Sequence, residues 1–259
     1  MKLRNFAATI MIAGAVLALT ACKKNSINPA SANPQMSFQL KADNASTTLA
    51  ASPGGNNHLS LNSVSPGVTG LTFTSGIANI AKFKLEAKKN GVETEITSKN
   101  LSNVDLFAIS PSIVNVNLDT GTYKEIEVRV EFQKTADTSA LPLKLKGTFT
   151  NSGGTVVPFE FDLNDNVTIK AEAENITVNS TTDFSTLVTM HLNLLLNGIS
   201  ASDIDSAQLT NGTIVVSSSS NSSIYNKIVA NLGDCGHAEF GEHHHDGSND
   251  GGHHSGGNN

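Results

Sequence analysis

Between residues 81 and 163 several runs alternate apolar with charged or polar side chains. That alternation restricts the fold more than any other feature. Ala81, Phe83, Leu85 and Ala87 interleave with Lys82, Lys84, Glu86 and Lys88, and Ile126, Val128, Val130 and Phe132 with Glu125, Glu127, Arg129 and Glu131. Leu143, Leu145 and Phe149 interleave with Lys144, Lys146 and Thr148, and Val157, Phe159, Phe161 and Leu163 follow the turn Asn151-Ser152-Gly153-Gly154. Successive side chains of a strand point to opposite faces, so a period of two marks strands with one face on a core and one in water. A helix would smear the same residues around its circumference. Asn90-Gly91 sits between the first such run and V-E-T-E-I-T-S. It predicts a tight hairpin, because a type I′ turn needs positive φ at both central residues.

Half-buried strands separated by turns predict a mainly β fold, an antiparallel β-sandwich over 36–180. Residues 166–178 read as one long strand or a strand pair. Near residue 180 the period changes. Phe184, Leu187, Val188, His191, Leu192 and Leu195 recur at helical spacing behind Asp183, a good N-cap, and Gly198 stands where a helix would end. We therefore expect a mixed, mostly helical segment over 181–233, packed on the sandwich as part of the same domain. It would hold a short helix over 200–209, a strand at Thr213–Ser217, and a last helix capped by Asn221 or Ser222 and ended by Gly233. On that helical stripe His191 reads as a packed core residue, not as a ligand or base.

The ends of the chain differ in kind. Lys2 and Arg4 precede an uncharged apolar and small-residue stretch from Phe6 to Leu19, too short to span a bilayer comfortably. It closes on Leu19-Thr20-Ala21-Cys22. This arrangement resembles the lipobox of bacterial lipoproteins. The resemblance implies that residues 1–21 are a cleaved signal peptide, that Cys22 carries a diacylglyceryl thioether, and that its new amine is acylated as well. Each buried CH₂ contributes about 0.8 kcal/mol and one chain alone holds only marginally, so two or three chains make a stable anchor. The membrane is thus the expected partner, reached through the acyl chains on Cys22. Lys23 stands where inner-membrane retention calls for aspartate in well-studied Gram-negative lipoproteins, so the same resemblance points to the outer membrane, with the leaflet left open. Residues 22–35, with two prolines and no apolar period, read as a flexible tether.

Residues 1–21 carry two basic and no acidic side chains, so the mature chain has a formal net charge of −8. It lacks the basic stripe that nucleic acid requires. Of its two cysteines, lipidation would consume Cys22, leaving Cys235 a single thiol with no disulfide partner.

Residues 234–259 are rich in Gly, Asn, Ser, Asp and His and read as a disordered tail. His237, His243, His244, His245, His253 and His254 lie there, six of the eight histidines of the chain. Neutral imidazole suits Zn, Ni and Cu, so these six are candidate metal ligands, against the alternative of a merely hydrophilic tail. Asp162-Leu163-Asn164-Asp165-Asn166 is similar in its letters to the calcium-binding linkers of cadherins, but the partner acidic motifs are missing and a polar turn is the simpler expectation. No G-x-S-x-G, H-E-x-x-H or Walker loop occurs. Glu125 and Glu127 are paired carboxylates on what reads as a solvated strand face. Tyr123 and Tyr225 are the only tyrosines and tryptophan is absent, which disfavours a sugar-stacking module.

One further resemblance rests on Asp105, Leu106, Gly121, Tyr123 and Ile126, within N-V-D-L-F-A-I and L-D-T-G-T-Y-K-E-I-E-V-R-V. Residues 103–132 resemble a family of uncharacterised bacterial and archaeal surface lipoprotein domains, which implies a β-sandwich at the cell surface and carries no activity. The expected function is therefore a lipid-anchored, non-enzymatic envelope protein with a structural, adhesive or accessory-binding role and no identified protein partner. The alternative is transition-metal binding or scavenging through the His-rich tail.

Overall fold

The structure is a computed structural model describing residues 35–43, 45–52, 56–60, 68–108, 113–179 and 182–244. It is mainly β, with several sheets and few helices. The strands are β1 (Gln35–Asp43), β2 (Ser46–Thr48), β3 (His58–Ser60), β4 (Gly70–Lys89), β5 (Val92–Asp105), β6 (Ile113–Asn117), β7 (Gly121–Phe132), β8 (Leu143–Thr150), β9 (Val156–Leu163), β10 (Val167–Val178), β11 (Thr182–His191), β12 (Leu209–Thr210), β13 (Thr213–Val216) and β14 (Gly236–His244). The helices are α1 (Leu192–Leu195), α2 (Ala201–Asp205) and α3 (Ser222–Leu232).

β4 organises the larger sheet. Its first part pairs with β2 on one side and β8 on the other; its second part pairs with β5 and β7. The sheet then extends through β10 beyond β7 and through β9, β13 and β12 beyond β8. The inward residues of β4 change parity along the strand. Leu71 and Phe73 are buried, then Ala78 and Ile80, then Phe83, Leu85 and Ala87. The first change has a visible cause: Phe73 faces Gly147 but Ser75 faces Lys146, so Thr74 is an extra residue. Such a bulge bends a strand and increases its local twist. Gly147 is needed there, since a Cβ would collide with the Thr72 carbonyl oxygen and sit 2.8 Å from the Phe73 Cα. Opposite β5 the register slips again between Ala78 and Ile80, with the additional residue on β5.

The smaller sheet has the order β14-β11-β1-β6. The rings of Phe38 (β1) and Phe83 (β4) meet at 5.2 Å between centroids, joining the two sheets across a shared apolar core. Neither sheet is wholly antiparallel as expected: β1 runs parallel to β11 and β13 parallel to β9.

Two hairpins follow from asparagine–glycine pairs. Asn90 and Gly91 both have positive φ between β4 and β5, and Asn211 and Gly212 do the same between β12 and β13. Residues 167–178 form one strand, paired along β7.

The expected helix starting at Asp183 is a correction. Residues 182–191 are β11, and only Leu192–Leu195 is helical. Thr186, Val188 and Thr189 are β-branched and pack well on a pleated surface, and pairing with both β1 and β14 supplies backbone bonds that outweigh the helical spacing. Gly198 has φ +71 at the turn just after α1, as its placement suggested. α2 starts on a full capping box between Ser200 and Asp203. α3 spans Ser222–Leu232, but Asn221 does not cap it through its side chain. That amide instead accepts from Gln208 N–H and donates to the Gln208 and Val215 carbonyls, tying the loop before the helix to β13.

The start of the expected disordered tail is also ordered. Gly236–His244 is β14, an edge strand antiparallel to β11. Ala238 turns inward and is buried opposite Val188, the apolar contribution that a histidine- and glycine-rich composition obscures. Gly236 lies so close to β10 that a Cβ would strike the Ile169 side chain.

Candidate functional site

Three adjacent strands of the smaller sheet each place one polar side chain at one end of its outer face. Asp43 ends β1 and stands opposite His191, the last residue of β11. His237, near the start of β14, stands opposite Thr189, two residues before His191. It is therefore a diagonal neighbour of His191 on the same face, within reach for ring side chains. His191 Nδ1 lies 2.7 Å from Asp43 Oδ1. The rings of His191 and His237 are 5.9 Å apart between centroids and inclined by 26°. The carboxylate and His191 are partly exposed, at 36% and 27% of their side-chain surfaces. His191 is thus no core residue of a helix, and Asp43 had no sequence signal beyond ending an alternating run.

The outer face of the larger sheet is charged throughout, and its charges lie in rows. Lys84, Arg129 and Lys170 are level across β4, β7 and β10; Glu95, Glu86, Glu127 and Glu172 are level across β5, β4, β7 and β10 in the next row. Like charges opposite one another repel. The pairing that offsets this joins one row to the next. Lys84 Nζ lies 2.5 Å from Glu86 Oε1 and 2.9 Å from Glu95 Oε2, and Arg129 binds both Glu127 and Glu86. The Lys84 hydrogen bond holds the Glu86 carboxyl below the usual carboxylate range, and the hydrogen bond to Glu86 raises the Lys84 ammonium. The two carboxylates expected on a solvated face are not solvated. Glu127 is buried beneath Arg129, and Glu125 is half-buried, 2.8 Å from Lys88 Nζ. Glu125, Glu127 and Glu172 bring carboxylate oxygens within 4.8 Å of one another, but inside this lattice of cations.

Other candidates resolve into structural roles. Asn164 exchanges hydrogen bonds with the backbone of Thr135, Asn166 accepts from Lys134 N–H, and Asp165 accepts from the Tyr225 hydroxyl at 2.7 Å. Asn164, Asp165 and Asn166 of the calcium-like run thus pin the β9–β10 turn against neighbouring segments. Asp162 is pushed up by burial while facing Lys144 Nζ at 2.8 Å. Tyr123 is buried and donates to the Asp119 carbonyl. Burial, followed by the bond to Asp165, lifts the Tyr225 hydroxyl to about 12. Cys235 is fully buried, donates to the Leu232 carbonyl, and burial drives its thiol up to about 12, so it is neither exposed nor poised as a nucleophile. A depression of about 450 Å³ bordered by Leu49, Val68 and Ala201 has Asp205 as its ionisable group.

Of the residues singled out as metal ligands, His237 is placed beside His191. His243 lies at the far end of β14, level with Asp183, and His244 is level with Thr182. His245, His253 and His254 lie outside the described residues, as does the lipidation candidate Cys22. No helix among the described residues is long and apolar enough to cross a membrane. No protein-family model matches the chain, and no curated protein or solved structure is significantly similar to it.

Proposed function

We propose that this chain is a lipid-anchored protein of the bacterial cell envelope, acylated on Cys22 and held in the outer membrane, with a non-enzymatic structural, adhesive or accessory-binding role. The observation that carries the reading is the L-T-A-C run after a short basic-then-apolar segment. We read the two sheets meeting at Phe38 and Phe83 as a β-sandwich, with α1 to α3 packed against it at one end. Residues 22–35 would tether that body above the membrane. A charge lattice paired within itself suits a wall that stays soluble and avoids edge-to-edge association. The resemblance of residues 103–132 is to domains without an assigned activity and adds none. Labelling cells with radioactive palmitate tests the anchor. The wild-type chain is expected to be labelled and membrane-bound, and Cys22→Ser to lose both properties; a Cys22→Ser chain still labelled overturns the reading.

A second reading is favoured by one observation, the placement of His237 beside His191. In it the His-rich C-terminal end takes up Zn, Ni or Cu, the ions whose preference for imidazole matches its composition.

A further inference from the structure

We propose that β5 is a self-association edge, along which two copies of this chain pair antiparallel over residues 93–99, about a two-fold axis at Ile96, and join their larger sheets into one. The proposal depends on neither the lipid anchor nor the metal reading.

β5 lies on the side of β4 opposite β7, and among the described residues it pairs with β4 alone. The turn at Asn90-Gly91, with positive φ at both residues, makes Lys89 and Val92 its closing pair. In a two-residue turn of this kind the closing residues exchange both backbone hydrogen bonds, and the bonding then alternates along the strands. The register runs unbroken from Val92 to Lys99. Val92, Thr94 and Ile96 therefore turn their N–H and C=O groups toward β4. Glu93, Glu95, Thr97 and Lys99 turn theirs outward, to no strand among the described residues. Asn100 has positive φ, which ends the regular stretch.

Charge guards this edge against partners in general, because Glu93 and Glu95 repel an acidic strand laid beside them. A second β5 fits in one arrangement. A two-fold axis at Ile96 sets position 93 against position 99 and position 95 against position 97. Glutamate then stands opposite lysine at both ends of the contact and opposite threonine between them, with no like charges opposed. All four positions offer outward backbone groups, so the facing pairs exchange about eight hydrogen bonds. Moving the axis to Glu95 would set that carboxylate against its own copy. The core-side face of β5 is also uncovered here. Val92 is 65% exposed, and Thr94 is exposed although it is level with the buried Ala87. Ile96 is half-buried. On the axis it meets its own copy in a non-hydrogen-bonded pair, with Cα atoms about 4.5 Å apart, which covers its open side.

The test uses the whole mature chain as Cys22→Ser, followed by sedimentation equilibrium. A concentration-dependent dimer is expected. Thr97→Pro removes an outward N–H and none of the bonds to β4, a position where a sheet tolerates proline, and should leave a monomer. Glu93→Lys and Lys99→Glu should each weaken the dimer about tenfold, since both opposite-charge pairs become like-charge pairs. The two substitutions together should restore it, which no general loss of fold would do. Ile96→Cys should form a disulfide-linked dimer on mild oxidation, because the Cα spacing suits the bond. Thr210→Cys, exposed on the edge strand β12, is the control. Circular dichroism shows that each variant keeps the fold, and if Thr97→Pro unfolds, the charge exchange decides. A monomer at every concentration, with Ile96→Cys linking no faster than Thr210→Cys, overturns the proposal. A dimer indifferent to Thr97→Pro and to both charge reversals overturns it as well, because the chain then associates elsewhere.

Discussion

The outer faces of the two sheets are built on opposite plans. The larger sheet spreads many charges across β5, β4, β7 and β10 and pairs them within itself, so that Lys84, Glu86, Arg129 and Glu127 each have more than one partner. The smaller sheet gathers three of its polar groups, Asp43, His191 and His237, at one end. A redundant lattice is insensitive to the loss of one member and presents no unmet demand to a ligand. The contrast is between a face whose charges are paired across several strands and a face that gathers its polar groups at one end.

The larger sheet bends at the bulge in β4, where the inward residues of that strand change parity. Gly147→Ala attacks it directly. The new methyl would meet backbone atoms of Thr72 and Phe73, which cannot rotate away. A loss of stability of about 3 kcal/mol or more is expected, visible as a fall in the urea midpoint with the slope unchanged. A near-neutral result would show that β4 and β8 can slip register, and that the close approach at Gly147 does not hold the bulge in place.

How much of this was legible in the sequence follows the same division. The larger sheet's strands were readable because alternation from Ala81 to Leu163 is a local signal, and Asn90-Gly91 announces its own turn conformation. Which charge faces which was not, because it depends on how β4 registers against β7 and β7 against β10, strands some 40 residues apart in each case. Asn211-Gly212 carried the same hairpin signal as Asn90-Gly91. In the smaller sheet β11 satisfies two patterns at once. Phe184, Leu187, Val188 and His191 fit a helix, while Thr186, Val188 and Met190 fit a strand's inward face. The choice is made by β1, some 150 residues earlier, through a parallel pairing that no local pattern reports. The candidate site suffered most. His237 was noticed for its type, but it meets His191 only through the β11–β14 pairing, and Asp43 meets His191 only through the parallel β1–β11 pairing.

The smaller sheet also contains a polar group with no evident use. Thr186 is fully buried on β11, and its hydroxyl has no hydrogen-bond partner among the described residues. Thr186→Val keeps the β-branched shape and removes the unsatisfied oxygen. A gain of about 1 kcal/mol in unfolding free energy is expected, measured by chemical denaturation. If stability falls instead, the hydroxyl contributes to holding β11, and the smaller sheet's polar interior has to be counted with its polar face.

The smallest effect is expected where the larger sheet is most charged. Lys84→Met removes the cation between Glu86 and Glu95 but leaves Arg129 against Glu86. A fall in the thermal midpoint of no more than about 2 °C at neutral pH is expected, because ion pairs on accessible surfaces contribute little. The pH dependence carries more information than the size. Lys84 holds the Glu86 carboxyl below its ordinary value. A carboxyl depressed on folding adds stability above its unfolded pKa and loses it as pH falls through the folded one. The difference between wild type and Lys84→Met should therefore be present at pH 7 and close as the solution is taken below pH 4 or so. It should also shrink with added salt at neutral pH. Thermal melts across that range decide the matter. A large loss that persists in acid would mean that the Lys84 stem packs where its charge was thought to matter. The lattice would then be a second hydrophobic face with charged tips, not a redundant set of ion pairs.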